Sequence, residues 1–203
     1  MDASVERIDL GPAADRVAGL VVRIEEDLLG LPTPCPDYTV RDLLAHVSAL
    51  ALAFRDAARK AFGPATDTDP GSARPVLEAE WRTVLPRRLG ELAEAWRAPD
   101  AWEGATRAGG VELPGAVAGL VAFDELLVHG WDLARAAGLP YAPGDDELLV
   151  SYAFLAPSAG DGDAGDGLFG PPVPVPDDAP LLDRVIGLSG RHPAWPEAAA
   201  PGG

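Results

Sequence analysis

Lysine is almost missing from this chain: Lys60 is the sole example, and 16 basic residues stand against 32 acidic ones for a formal charge of −16. So acidic a surface excludes an electrostatic grip on phosphate backbones or on an anionic membrane. Cysteine is equally scarce. With Cys35 alone there is no internal disulfide and no zinc cage built from thiolates, so any metal must be held by nitrogen and oxygen. No apolar run approaches the roughly twenty residues of a spanning helix. The first ten residues carry Asp2, Glu6 and Asp9 instead of a basic start and a greasy segment, so a soluble, cytoplasmic protein is expected. Histidine occurs only three times, yet two of the three, His46 and His129, fall inside the most apolar helical stretches.

The 203 residues suit one domain with a proper core. Apolar residues at Val17, Leu20, Val21, Ile24 and Leu28 predict a first helix over Pro12–Leu29. After the proline-punctuated turn LPTPCPD, Thr39 with Asp42 three residues on forms an approximate capping box, which starts a second helix near Val40. Val76–Arg97 is a third helical segment, which Pro86 should kink or split. Trp102–Leu113, with Gly-Gly near its middle, predicts a small hairpin or an irregular excursion. The least polar helix runs from Gly115 to Ala137 and is stopped by Gly138 and Pro140. Two shorter helical pieces follow, Asp145–Leu155 and Pro180–Leu188. The whole predicts an all-α four-helix bundle with short additional C-terminal helices, in a single domain over 1–203. Residues 157–180 are expected to be a flexible acidic and Pro-rich loop. Its DGDAGDG run fails as a calcium loop, since Gly165, Asp166 and Pro172 fall where a ligand, a glycine and a glutamate are needed.

On the second helix Leu43, Leu44, Val47, Leu50, Ala51 and Phe54 form an apolar arc with His46 at its edge. The Gly115–Ala137 helix is apolar around most of its circumference, yet Glu125, His129 and Asp132 line one narrow stripe at spacings of four and three. Burying a carboxylate and an imidazole without partners is costly. The spacing leaves two readings. The histidines are hydrogen-bonded core residues, or Glu125, His129 and a facing His46 converge on a divalent cation with Asp132 holding an imidazole N–H from outside. His192, in the tail RHPAWP, reads as an ordinary surface residue. Cys35 reads as a packing residue, with no histidine near it in sequence to activate it.

Three stretches carry a resemblance: PTPCPDYTVRDLLAHV (Pro32–Val47), ELLVHGWDLARAAG (Glu125–Gly138) and FGPPVPVPDDAPLLDRVIGLSGRHPAW (Phe169–Trp195). In this order they resemble the DinB-like metal-binding four-helix bundles, and among them the mycothiol-dependent maleylpyruvate isomerase N-terminal type. The resemblance implies a divalent metal, usually zinc, held by His46, Glu125 and His129. It departs from the pattern at Asp37-Tyr38, where the group commonly has Gly-Trp. The isomerases also carry a C-terminal domain that supplies catalytic groups, for which this length is expected to leave no room, so isomerase activity is not carried over. The resemblance further implies a metal-dependent enzyme that activates a low-molecular-weight thiol, mycothiol or a relative, for transfer to a small electrophile. A non-catalytic metal- or small-ligand-binding protein and a metal-hydroxide hydrolase on the same ligands are the alternatives. No nucleic acid or membrane partner is expected, and the chain should be a monomer or homodimer. Arg41, Arg82 and Arg135 are the positional candidates for receiving an acidic group of a substrate.

Overall fold

A computed structural model describes residues 7–36, 38–69, 75–159 and 170–196. Its elements are α1 (Gly11–Val21), α2 (Val40–Ala58), the short turn α3 (Pro64–Asp67), α4 (Trp81–Trp96), β1 (Ala105–Ala108), β2 (Val111–Pro114), α5 (Gly115–Ala137), α6 (Asp145–Leu155) and α7 (Leu181–Leu188). The four long helices α1, α2, α4 and α5 form the bundle. Both α1 and α2 pack against α4 and α5, so α1 faces α2 across one diagonal and α4 faces α5 across the other. Among the described residues no helix is long and apolar enough to cross a membrane.

Local chemistry fixes the elements that carry the polar residues of the interior. Thr39 is extended (φ −76°, ψ 168°), its hydroxyl oxygen accepts from the Asp42 amide, and the Asp42 carboxylate accepts in return from the Thr39 amide at 3.0 Å. This reciprocal box satisfies two of the amides that a helix start leaves without partners. It also sets the phase of α2, turning Leu43, Leu44, Val47 and Ala51 inward at 1% exposure or less and leaving His46 at the margin. In α5 every residue from Val121 to Ala134 is buried. A helix apolar around its whole circumference needs neighbours on every side. The bundle covers one side, and α6 with the segment after α7 covers another. Gly138 ends α5 in the left-handed region (φ 64°), a conformation with little cost only for glycine.

Three sequence expectations are adjusted. The first helix stops at Val21, with Val22 60% exposed, and the chain re-enters as a 3-10 turn over Glu26–Gly30. Ile24 and Leu29 still reach the core, so their periodicity reported burial correctly but not the path between them. The carbonyl of Ile24 is taken by the Arg82 guanidinium at 3.0 Å. In α4, which begins only at Trp81, Pro86 lies inside one continuous helix and does not split it. The excursion after Trp102 is a true antiparallel hairpin, in register Ala105 to Pro114 and Ala108 to Val111, closed by Gly109-Gly110.

Behind α5 the C-terminal part is tied on by polar contacts. Ser151 of α6 donates to the fully buried Asp124 carboxylate, Tyr141 donates to the Leu127 carbonyl at 2.7 Å, and Arg135 holds the Trp195 carbonyl. Of the expected loop 157–180, the acidic DGDAGDG run lies outside the described residues. Its Pro-rich end is engaged, with the Val173 amide donating to the Gly187 carbonyl of α7 at 2.8 Å.

Replacing Thr39 by alanine removes the hydroxyl arm of the α2 capping box and leaves the arm from the residue-39 amide to the Asp42 carboxylate. The expected cost is about 1 kcal/mol of unfolding free energy, read from urea denaturation, with the helical content of the native state unchanged.

Candidate metal centre

The stripe on α5 and the margin residue of α2 meet in the seam between the two helices. His129 Nε2 lies 2.9 Å from Glu125 Oε2, and His46 Nε2 lies 3.9 Å from the same oxygen. The imidazoles meet edge to face with centroids 5.0 Å apart. One donor atom from each of the three residues falls within 4.8 Å of the others. Around a tetrahedral ion with bonds of about 2.1 Å, donors sit ~3.4 Å apart, so small side-chain adjustments would close this set on a cation. Tyr38, half-buried in the loop before α2, stacks on the outer face of His46 at 5.3 Å and 29°.

The second ring nitrogen of His129 decides what the first can do. Nδ1 lies 3.0 Å from Asp132 Oδ2, which as a carboxylate can only accept, so the proton belongs on Nδ1. The neutral ring then turns the lone pair of Nε2 toward Glu125, another acceptor. Glu125 Oε2 is buried and has no hydrogen-bond partner even though Nε2 is so near. Two acceptors facing each other with His46 alongside could hold a cation, and nitrogen and oxygen donors are a set that a divalent ion takes. The residues therefore fit a divalent ion.

Without a metal, a proton takes that place. Burial disfavours the charged form of His129, but the carboxylates of Glu125 and Asp132 outweigh it and raise its pKa to about 9. Burial likewise pushes Glu125 upward, and the charge of the protonated His129 ring beside it outweighs this and holds it well below the usual carboxylate range. A raised histidine stabilises the fold fully below its unfolded value of 6.5, and this contribution fades as pH rises through about 9.

A residue that sequence periodicity did not single out completes the surroundings. Arg191, 5% exposed in the turn after α7, donates to Asp132 Oδ2 at 3.2 Å and to the Ser189 carbonyl at 2.6 Å. Its only sequence signal was membership of the SGRHPAW stretch. The three positional candidates stand elsewhere. Arg41 is exposed, Arg82 pairs with Glu26, and Arg135 holds the tail carbonyl. His192 is exposed, as expected. Cys35 is buried, and it too has a donor atom within 4.8 Å of donors on His129 and Asp132. This second set does not suit a cation, because Arg191 already places its positive charge on Asp132. Burial pushes the Cys35 thiol up to about 11 against the opposing pull of Arg191, so it is no nucleophile at neutral pH.

Residues 10–134 match the family described as the mycothiol maleylpyruvate isomerase N-terminal domain. The chain belongs to that family. Uncharacterized proteins of two Mycobacterium tuberculosis strains are 28% identical to it over 182 residues, covering 88% of this chain and 93% of theirs. Crystal structures of the mycothiol-dependent maleylpyruvate isomerase and of its histidine-to-alanine mutant share the fold, with a TM-score of 0.60 at 19% identity over 90% of this chain and 88% of theirs. The likeness thus extends beyond the residues of the family match to most of the solved chain. The resemblance read from the three sequence stretches, and the DinB-like helical bundle expected with it, are borne out.

Because a metal must displace the proton of His129, zinc uptake near pH 7.5 should release about one proton, with apparent affinity rising roughly tenfold per pH unit until about pH 9. Calorimetric titration in two buffers of different ionisation enthalpy measures this directly. Uptake without proton release would contradict the arrangement.

Proposed function

We propose that the protein is a divalent-metal-dependent enzyme, with zinc the expected ion, that activates a low-molecular-weight thiol of the mycothiol type for transfer to a small electrophile. One observation carries this reading: a buried Glu125 oxygen without a hydrogen bond, facing His129 one turn along α5 and His46 across the seam on α2. His46, Glu125 and His129 would hold the ion. When bound, a divalent cation supplies the acidity that takes a thiol with a pKa near 8.5 into its nucleophilic, deprotonated form at neutral pH.

The chain's own residues prepare for that chemistry. Asp132 fixes the tautomer of His129 and the tilt of its ring. Tyr38 and His129 bracket the His46 ring, one stacked and one edge-on, which holds its free nitrogen toward Glu125. Burial of Glu125 and His129 keeps water from competing for the charges between them. Among the described residues three side chains would contribute donors, which leaves further coordination positions for a guest. Cys35, the one thiol of the chain, is buried and its pKa is pushed up by that burial, which supports a nucleophile that comes from outside. The family, named for a mycothiol-dependent isomerase, supports a small thiol in that role.

Metal analysis coupled to a thiol-conjugation screen tests the proposal. Wild-type protein should take up one zinc per chain and consume thiol in the presence of an electrophile, and a chelator should stop it. Glu125→Ala and His46→Ala should lose zinc affinity by more than the roughly 10–100-fold that removal of an outer partner such as Asp132 costs. Conjugation indifferent to chelation would overturn the reading. Turnover of activated esters without thiol would point to a hydrolase on the same ligands.

A further inference from the structure

We infer that Arg191 gives the loaded centre its preference for a singly charged anionic guest, acting as a positioning residue through Asp132 and His129. This rests on the metal-centre reading and says which class of ligand that centre selects. The contacts form one line: Arg191 donates to Asp132 Oδ2, the same oxygen meets His129 Nδ1, and the far nitrogen of that ring faces the ion seat. Asp132 is fully buried and Arg191 nearly so, so their charges are little screened by solvent.

A count of charge shows why the arginine matters. Along this line of contacts neutral imidazoles bring no charge, and Glu125 and Asp132 together would just balance a divalent cation, while Asp124 faces α6 and is hydrogen-bonded by Ser151. Such a centre would have no electrostatic reason to choose an anion over a neutral molecule. Arg191 restores one surplus positive charge, which a thiolate or another monoanion neutralises. A dianion overshoots, and a neutral ligand leaves the surplus in a buried place. The Arg191 guanidinium is engaged by Asp132 and by the Ser189 carbonyl. Its influence is the sign of the site. The fold commits to this position: Gly190 adopts φ 79°, and a Cβ there would lie 2.8 Å from the Gly170 carbonyl oxygen, so the turn delivering Arg191 is tightly prescribed.

Cobalt(II)-substituted protein, titrated optically with azide and separately with imidazole, tests the inference on binding alone. Azide is a monoanion and imidazole is neutral, while both are small ligands. Arg191→Gln should weaken azide by roughly tenfold, the order of effect of one charge across about a nanometre of protein. Imidazole affinity should change less than about twofold, cobalt affinity should hold or rise, and Arg191→Lys should retain azide binding. Cys35 and Asp124 are common to all these proteins and enter each comparison alike. Asp132→Asn, which keeps an acceptor for His129, gives the opposite sign: tighter azide and weaker cobalt. It carries the test by itself if Arg191→Gln does not fold. Parallel loss of azide, imidazole and cobalt in Arg191→Gln would reduce Arg191 to a structural clamp and overturn the inference, as would unchanged azide binding. Wild-type protein that takes up no cobalt or zinc would fail the metal-centre reading itself and this inference with it.

Discussion

A carboxylate without water must be met by positive charge, and this chain buries two on one face of α5. Glu125 and Asp132 are both under 10% exposed, in a helix whose other residues are almost wholly apolar. Left alone, each would cost several kcal/mol or take up a proton. Much of the surrounding architecture answers that demand. The bundle brings α2 alongside so that His46 looks at Glu125, the helical repeat places His129 between the two acids, and the segment beyond α7 returns to lay Arg191 on Asp132. The polar core is therefore organised in advance around positive charge, either a proton on His129 or an ion between the donors.

This demand separates the polar stripe from the nearby Asp124–Ser151 pair. Asp124 is also buried, and burial pushes its carboxyl up to about 7 against the hydrogen bond from Ser151. It faces α6 and not the seam, and it meets a hydroxyl and not an imidazole. Its solution to burial is partial neutralisation. Adjacent residues on one helix thus resolve the same penalty in two ways, and the one that meets imidazoles joins a group that could hold a cation.

The bundle was legible in the sequence because helical periodicity records burial. The Gly115–Ala137 and Asp145–Leu155 helices, the Thr39–Asp42 cap and the Gly138 stop all have local causes, and each is found where local chemistry puts it. The end of α1 was not legible, since Ile24 and Leu29 stay buried along a path that is no longer an α-helix. The stripe Glu125, His129 and Asp132 was visible as polarity out of place on an apolar helix, and geometry now brings His46 to it. Arg191 was invisible for the converse reason. It stands in a short turn with no repeat to break, and 59 residues separate it from the carboxylate it meets. Long-range polar contacts leave no periodic trace, so the helical partners of a site are easier to read than the loop that closes it.

The return of the chain after α7 also orders the assembly of the protein in time. During synthesis, α2 and α5 leave the ribosome long before residue 191, so the histidines and Glu125 can come together while Asp132 still waits for its guanidinium. Until then the surroundings of Asp132 carry one positive charge fewer. The turn that carries Arg191 then adds one positive charge beside Asp132, 59 positions along the chain from it.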